Sequence, residues 1–173
     1  MVSLKGKLLV ASPRLCKENS FSQTVVWLMG HGRDGAMGLC LNRKSPPCNC
    51  PDCGGRIRSA YPVFLGGPVG CGNHMTMIHG IERLVGKKKM EIAPGIYWGT
   101  PRKLEKALRL PMDDWRFKVI TGYSGWEPNQ LEKELANSVW TVEEATPELI
   151  LDTDPEELWH LLAPSTLPQF SDN

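Results

Sequence analysis

Apolar residues come in short runs along this chain, and what separates them predicts sheet in the N-terminal part and helices mainly toward the C-terminus. Leu8–Ala11, residues 24–29 and residues 36–41 are apolar and partly β-branched, divided by clusters of Pro, Ser, Asn and Gly, which is the punctuation of strands. Val63–Leu65 and Met75–His79 repeat the pattern on either side of an irregular crossing that holds Gly66, Gly67 and Pro68. A further extended stretch runs from Lys87, Lys88 and Lys89 to Trp98, with the ammonium groups expected on a solvated turn. Residues 44–62 break the pattern with prolines, cysteines and the pair Gly54 and Gly55, so they read as a loop unless something external orders them.

Helical spacing appears later. Thr100 followed by Pro101 is a cap with proline at the first helical position, and Leu104, Ala107 and Leu108 then share a face until Pro111 stops the run. Phe117–Thr121 is an apolar run with a strand at 118–121, and a sharp turn between Gly122 and Gly125 follows it. Pro128 then opens a helix with Leu131 and Leu135 inward and Glu132 and Glu134 exposed. Asp154, Pro155, Glu156 and Glu157 repeat the N-cap signal, with Leu158, Trp159, Leu161 and Leu162 as the face that packs on the sheet. Residues 164–173 are polar or proline and read as a fraying tail.

A length of 173 residues with 41% hydrophobic content supports one core, so a single domain is expected over residues 1–163. The formal charge of +1 and a pI near 7.6 supply no global field for a polyanion. The helix over 100–110 carries Arg102, Lys103, Lys106 and Arg109 without a partner helix in a turn arrangement, which argues against direct nucleic-acid binding. No apolar run approaches the ~20 residues that span a bilayer, and the first residues lack a secretory layout, so a cytoplasmic protein with no membrane contact is expected. In that compartment the 6 cysteines are reduced thiols or metal ligands.

Several ordered motifs resemble those of the YqgE/AlgH family. The N-terminal ones are the run from Leu8 through Ser12 and Pro13, then Phe21, Val25, Val26 and His31, then Gly35, Ala36, Met37, Gly38 and Leu39 with Asn42 and Arg43. They continue with Val63 to Leu65 and Gly66, Gly67, Pro68 and Val69, with His79, and with Gly122, Tyr123, Ser124, Gly125 and Trp126. Gln130, Leu131, Glu132, Trp140 and Asp152 close the set. The resemblance implies an α+β single domain of coiled, bifurcated, mostly antiparallel β-sheets with packed helices, in a family described as transcriptional regulators without an established biochemical activity. A family name of that kind supplies no mechanism. The cysteines between 48 and 53 depart from the family pattern, which has a helix-forming segment there.

Cys50 and Cys53 sit three positions apart ahead of a glycine, and Cys71 and His74 repeat that spacing at an interval found in zinc ribbons. Together they could close one structural zinc site, with Cys48 as a substitute ligand and free reduced thiols as the alternative. A filled tetrahedral site would order the loop rather than catalyse. Cys16 and Cys40 read as buried apolar residues. Ser124 follows a strand and precedes a helix, but a nucleophile elbow needs glycine two residues later and Trp126 stands there. His31, His79, His160 and Asp152 offer bases and an acid whose spacing does not bring them to Ser124. The expected function is therefore non-enzymatic binding or regulation through a small ligand or protein partner, with a direct DNA-binding regulator as the alternative and a Ser- or Cys-dependent enzyme ranked below both. The expected cleft comprises His31, Asn42, Arg43, the turn Gly66, Gly67 and Pro68, the group Tyr123, Ser124 and Trp126, and Gln130.

Overall fold

In a computed structural model the fold is described for residues 2–15, 18–46, 62–70, 75–84, 90–99 and 116–163. Two five-stranded sheets form among them. The first contains β1 (Leu8–Ala11), β2 (Val25–Gly32), β3 (Gly35–Cys40), β9 (Ser124–Trp126) and β10 (Trp140–Glu143) in the order β10-β1-β2-β3-β9, antiparallel throughout. The second contains β4 (Val63–Leu65), β5 (Met75–His79), β6 (Glu91–Ala93), β7 (Ile96–Gly99) and β8 (Phe117–Thr121) in the order β4-β8-β5-β7-β6. Only β4 and β8 run parallel.

The central strands of the first sheet are apolar on both faces because both are covered. Leu8, Leu9, Val10 and Ala11 are fully buried, as are Val25 to Leu28 beside them. On the second sheet Phe64, Ile78 and Ile120 join this same core, while Val63, Met77, Ile81 and Val119 form a smaller cluster of their own. That division follows the alternation of side chains along a strand.

Two helices complete the described fold. α1 (Gln130–Ala136) buries Leu131, and α2 (Pro155–Leu162) buries Leu158 and Trp159. Asp154 caps α2 as expected, its Oδ1 accepting the Glu156 amide at 2.9 Å, and the Trp159 indole donates to the Ala11 carbonyl at 2.8 Å, which docks the helix on β1. Pro147 leads into a wide helical turn, Glu148–Asp152, that buries Ile150.

Several expectations need correction. The extended stretch ending at Trp98 is a hairpin, folded between β6 and β7 where Ala93 faces Ile96 and Gly95 adopts a φ of +73°. α1 begins at Gln130 rather than Pro128, because Asn129 has a φ of +62° that a helix does not admit. Ser124, expected within a sharp turn between Gly122 and Gly125, lies on strand β9: Ala36 pairs with Trp126 and Gly38 with Ser124. Leu161 is exposed. The loop over 44–62 extends beyond the described residues after Pro46, and the helix over 100–110 and the tail 164–173 lie outside them, as do Lys87, Lys88, Lys89 and Cys16.

Candidate functional site

The chain crosses from one sheet to the other where β3 ends, and this seam builds the candidate site. After Cys40 the backbone turns onto β4: Leu65 donates to the Arg43 carbonyl at 2.8 Å, Ser45 donates to Val63 at 2.8 Å, and Lys44 bridges Phe64. The Gly66 carbonyl then ties the sheets together, accepting the Cys40 amide at 2.9 Å and the Ser124 hydroxyl at 3.0 Å, while the Gly66 amide donates to Thr121. Only glycine fits such an approach. A Cβ on Gly66 would lie 2.4 Å from the Gly122 oxygen, and one on Gly67 would lie 2.3 Å from the Tyr123 carbonyl carbon.

Beside this crossing lies a hollow of about 110 Å³. Ser20, Phe21 and Thr24 contribute its outer wall from the loop before β2, Cys40 and Arg43 come from the end of β3, and Leu65, Gly67 and Pro68 come from the end of β4. Ser20 and Pro68 are the exposed residues of its lining and mark its mouth. Its lining is almost wholly apolar, the setting in which a few placed polar groups orient a ligand. Arg43 is half-buried and donates through Nη2 to the Ser22 carbonyl at 3.0 Å, which fixes one edge of the guanidinium. Asn42 holds the outer wall. Its Oδ1 accepts the Val25 amide and its Nδ2 donates to the Gln23 carbonyl, both at 2.9 Å.

The expected cleft therefore divides. Arg43, Gly67 and Pro68 line the hollow, with Gly66 and Ser124 fastening its inner end and Asn42 its outer loop. Tyr123 pairs with Val69 through both backbone bonds just beyond Pro68. His31 is elsewhere, at the far end of β2, about 20 Å from Val25 at the rise of an extended strand. Its Nδ1 accepts the Leu4 amide at 3.0 Å, so its proton sits on Nε2 and is donated to Glu132 at 2.9 Å. Glu132's carboxyl is held below its ordinary value by its own backbone amide first and by His31 second.

Trp126 does not line the hollow either. It stands behind Phe21, stacked at 6.4 Å between ring centroids, and its indole N–H is held by Glu134. Gln130 spans from the Glu127 amide, which its Oε1 accepts, to Glu134, to which its Nε2 donates, and is not part of the hollow's lining. Glu134, expected to be exposed, is half-buried and accepts from both Trp126 and Trp140.

Groups weighed for nucleophilic chemistry each have a different partner. Ser124 is buried against Gly66, the His79 Nδ1 accepts the Ile81 amide, His160 packs on Trp159, and Asp152 binds Arg116. Cys40 is buried as expected, and burial pushes its thiol up, partly offset by Asn42, Arg43 and Lys118. Cys48, Cys50, Cys53, Cys71 and His74 lie outside the described residues.

Sequence reasoning missed Lys118. It is 6% exposed on β8, over the Phe64 ring at 5.4 Å, and its Nζ has no hydrogen-bond partner among the described residues. Burial lowers its pKa to about 8, against the opposing pull of Asp154, Cys40 and Asp152. An apolar run with one lysine inside it, flanked by Phe117 and Val119, was the available signal.

Two mostly antiparallel sheets joined at a glycine seam, with few helices, define an α+β single domain. The AlgH-like family model matches residues 8–167, and the chain belongs to that family. It is 33% identical to a UPF0301 protein of Shewanella denitrificans, covering 93% of this chain and 90% of that one. A UPF0301 protein of Myxococcus xanthus is 34% identical, over 92% and 88% of the two chains. The solution structure of AlgH from Pseudomonas aeruginosa superposes with a TM-score of 0.68 at 28% identity, covering 92% of this chain and 87% of that one. The crystal structure of protein DIP2367 from Corynebacterium diphtheriae shares the fold, with a TM-score of 0.70 at 20% identity over 98% and 92%. Among the described residues no helix is long and apolar enough to cross a membrane.

Proposed function

We propose that this protein is a non-enzymatic, cytoplasmic binding and regulatory domain that takes a small ligand into the hollow at the seam between its sheets. The observation that carries this reading is the hollow itself: an apolar recess of about 110 Å³ with one guanidinium at its edge, supported by backbone bonds from both sheets. A ligand seated there touches β3, β4 and the loop before β2 together, so its binding would change how the two sheets meet. That is the coupling a regulatory domain needs. The buried Ser124 hydroxyl, committed to a carbonyl, supports binding over acyl transfer.

A fragment screen by protein NMR tests this. Small apolar probes should shift the amides of Phe21, Cys40 and Leu65 together, and Ser20→Trp, which places an indole over the mouth, should abolish those shifts while leaving the fold intact. Shifts that survive Ser20→Trp, or that cluster around His31 instead, would refute the assignment.

A further inference from the structure

The segment ahead of Gly6 is fastened to the fold at one residue. Apart from a local turn closed by the Leu4 carbonyl and the Lys7 amide, its hydrogen bonds to the rest of the described residues all reach His31: the Leu4 amide donates to Nδ1 at 3.0 Å and the Ser3 hydroxyl to the His31 carbonyl at 3.0 Å. From Gly6 onward the anchoring is separate, because its amide donates to the Leu28 carbonyl at 2.8 Å and its carbonyl accepts the Trp27 indole at 3.2 Å. Residues 2–5 thus form a strap hinged at Gly6, with Leu4 half-buried against the main core.

A second proton has one place to enter the ring. Nε2 already carries a proton, donated to Glu132 at 2.9 Å, so protonation must occur at Nδ1, whose lone pair the Leu4 amide occupies. The imidazolium has two donors and no acceptor, which would set one N–H against another. Glu132 gains from the same event, since its hydrogen bond becomes an ion pair with a side chain only 2% exposed. The remaining charged residues on the packed elements are Lys5 on the strap, Arg33 and Asp34 on the turn into β3, and Glu127 after β9; Gly35, Ala36 and Met37 of β3 carry no charge. Glu132 is the one in contact with the ring, so it favours the second proton while the strap opposes it.

We propose that His31 is a pH-sensitive clasp: neutral, it holds residues 2–5 in place, and protonated, it keeps Glu132 and releases the strap about Gly6. The clasp stands at the opposite end of β2 from the hollow and does not depend on what the hollow binds. Because the released form takes up the proton, the strap is docked at high pH and is lost as pH falls through the ordinary imidazole range of about pH 5–8.

NMR relaxation and imidazole shifts measured on the same sample from about pH 8 to about pH 5 test this. The backbone order parameters of Ser3, Leu4 and Lys5 should fall from about 0.85 to below about 0.6, with the same midpoint as the His31 titration, while Gly6 and Trp27 stay rigid. His31→Asn, which takes no proton, should abolish the pH dependence, and Glu132→Gln should move the release to lower pH. The parent protein alone decides the matter if a variant fails to fold. A strap that stays ordered while His31 titrates, a His31 that remains neutral down to about pH 5, a strap already mobile at about pH 8, or a pH-dependent release that persists in His31→Asn would each overturn the proposal.

Discussion

Glu134 sits on a short helix yet holds two of the largest side chains in the fold, so its removal gives a quantitative test of how the first sheet is closed. Its Oε2 accepts the Trp126 indole at 2.8 Å and the Trp140 indole at 2.7 Å, while Oε1 accepts Gln130 at 2.8 Å. Both indoles are buried, at 6% and 3% exposure, and their rings meet edge to face with Phe21 between them and the hollow. A hydrogen bond to an ionised acceptor contributes about 1.5–3 kcal/mol, and Glu134→Ala removes the two from the buried indoles, leaving both N–H groups without an acceptor, together with the exposed one from Gln130, which water replaces. The carboxylate is only half-buried, so water can reach part of the gap and the lower end of the range applies: about 3 kcal/mol in total. Against a typical stability of ~5–15 kcal/mol that is a large fraction. Glu134→Gln retains a neutral acceptor and should lose about half as much. Urea unfolding followed by far-UV circular dichroism measures both. A double-mutant cycle with Trp126→Phe should be non-additive, since the two residues share one bond. A loss for Glu134→Ala within about 0.5 kcal/mol, or strict additivity in the cycle, would refute the shared-carboxylate account.

Lys118 predicts a pH dependence. With a folded pKa of about 8 against an ordinary 10.5, the unfolded chain binds more protons across that window, so this lysine's penalty is full below pH 8 and relieved as pH rises toward 10.5. The stability advantage of Lys118→Met at pH 7 should therefore exceed its advantage at pH 10.5 by roughly 3 kcal/mol; a difference that does not change with pH would contradict this. Gly67→Ala should cost about 3 kcal/mol or more, because the added Cβ would meet the Tyr123 carbonyl, and an unchanged thermal midpoint would show that the crossing is looser than described. The zinc reading of Cys50, Cys53, Cys71 and His74 predicts an equimolar zinc content in protein purified without added metal, and a content far below equimolar removes it.

Strands buried on both faces were the most legible part of the chain, because a continuous apolar run needs no partner to be recognised. β1, β4, β5 and β8 fall where the hydrophobic runs place them. β9 was not legible: a serine, a glycine and a tryptophan make no run, and the segment becomes a strand only because β3 supplies its pairing partners. β10 is similar, with Val142 and Glu143 exposed on an edge. The site was legible in part for a related reason. The sequence marked Arg43, Gly67 and Pro68 through their position at strand ends, but it gave no measure of the distance along β2 that separates them from His31. It also placed Trp126 in the recess when Phe21 intervenes, and Glu134 in solvent when two indole N–H groups required an acceptor.

The central claim, that the seam between the sheets encloses an apolar site open to small molecules, is tested most directly by crystals pressurised with xenon. Xenon enters dry apolar cavities and reports them by anomalous scattering without any assumption about charge. The account predicts a xenon peak between Phe21, Cys40 and Leu65 that disappears in Ser20→Trp crystals. Crystals showing those three side chains packed against one another with no xenon between them would contradict it.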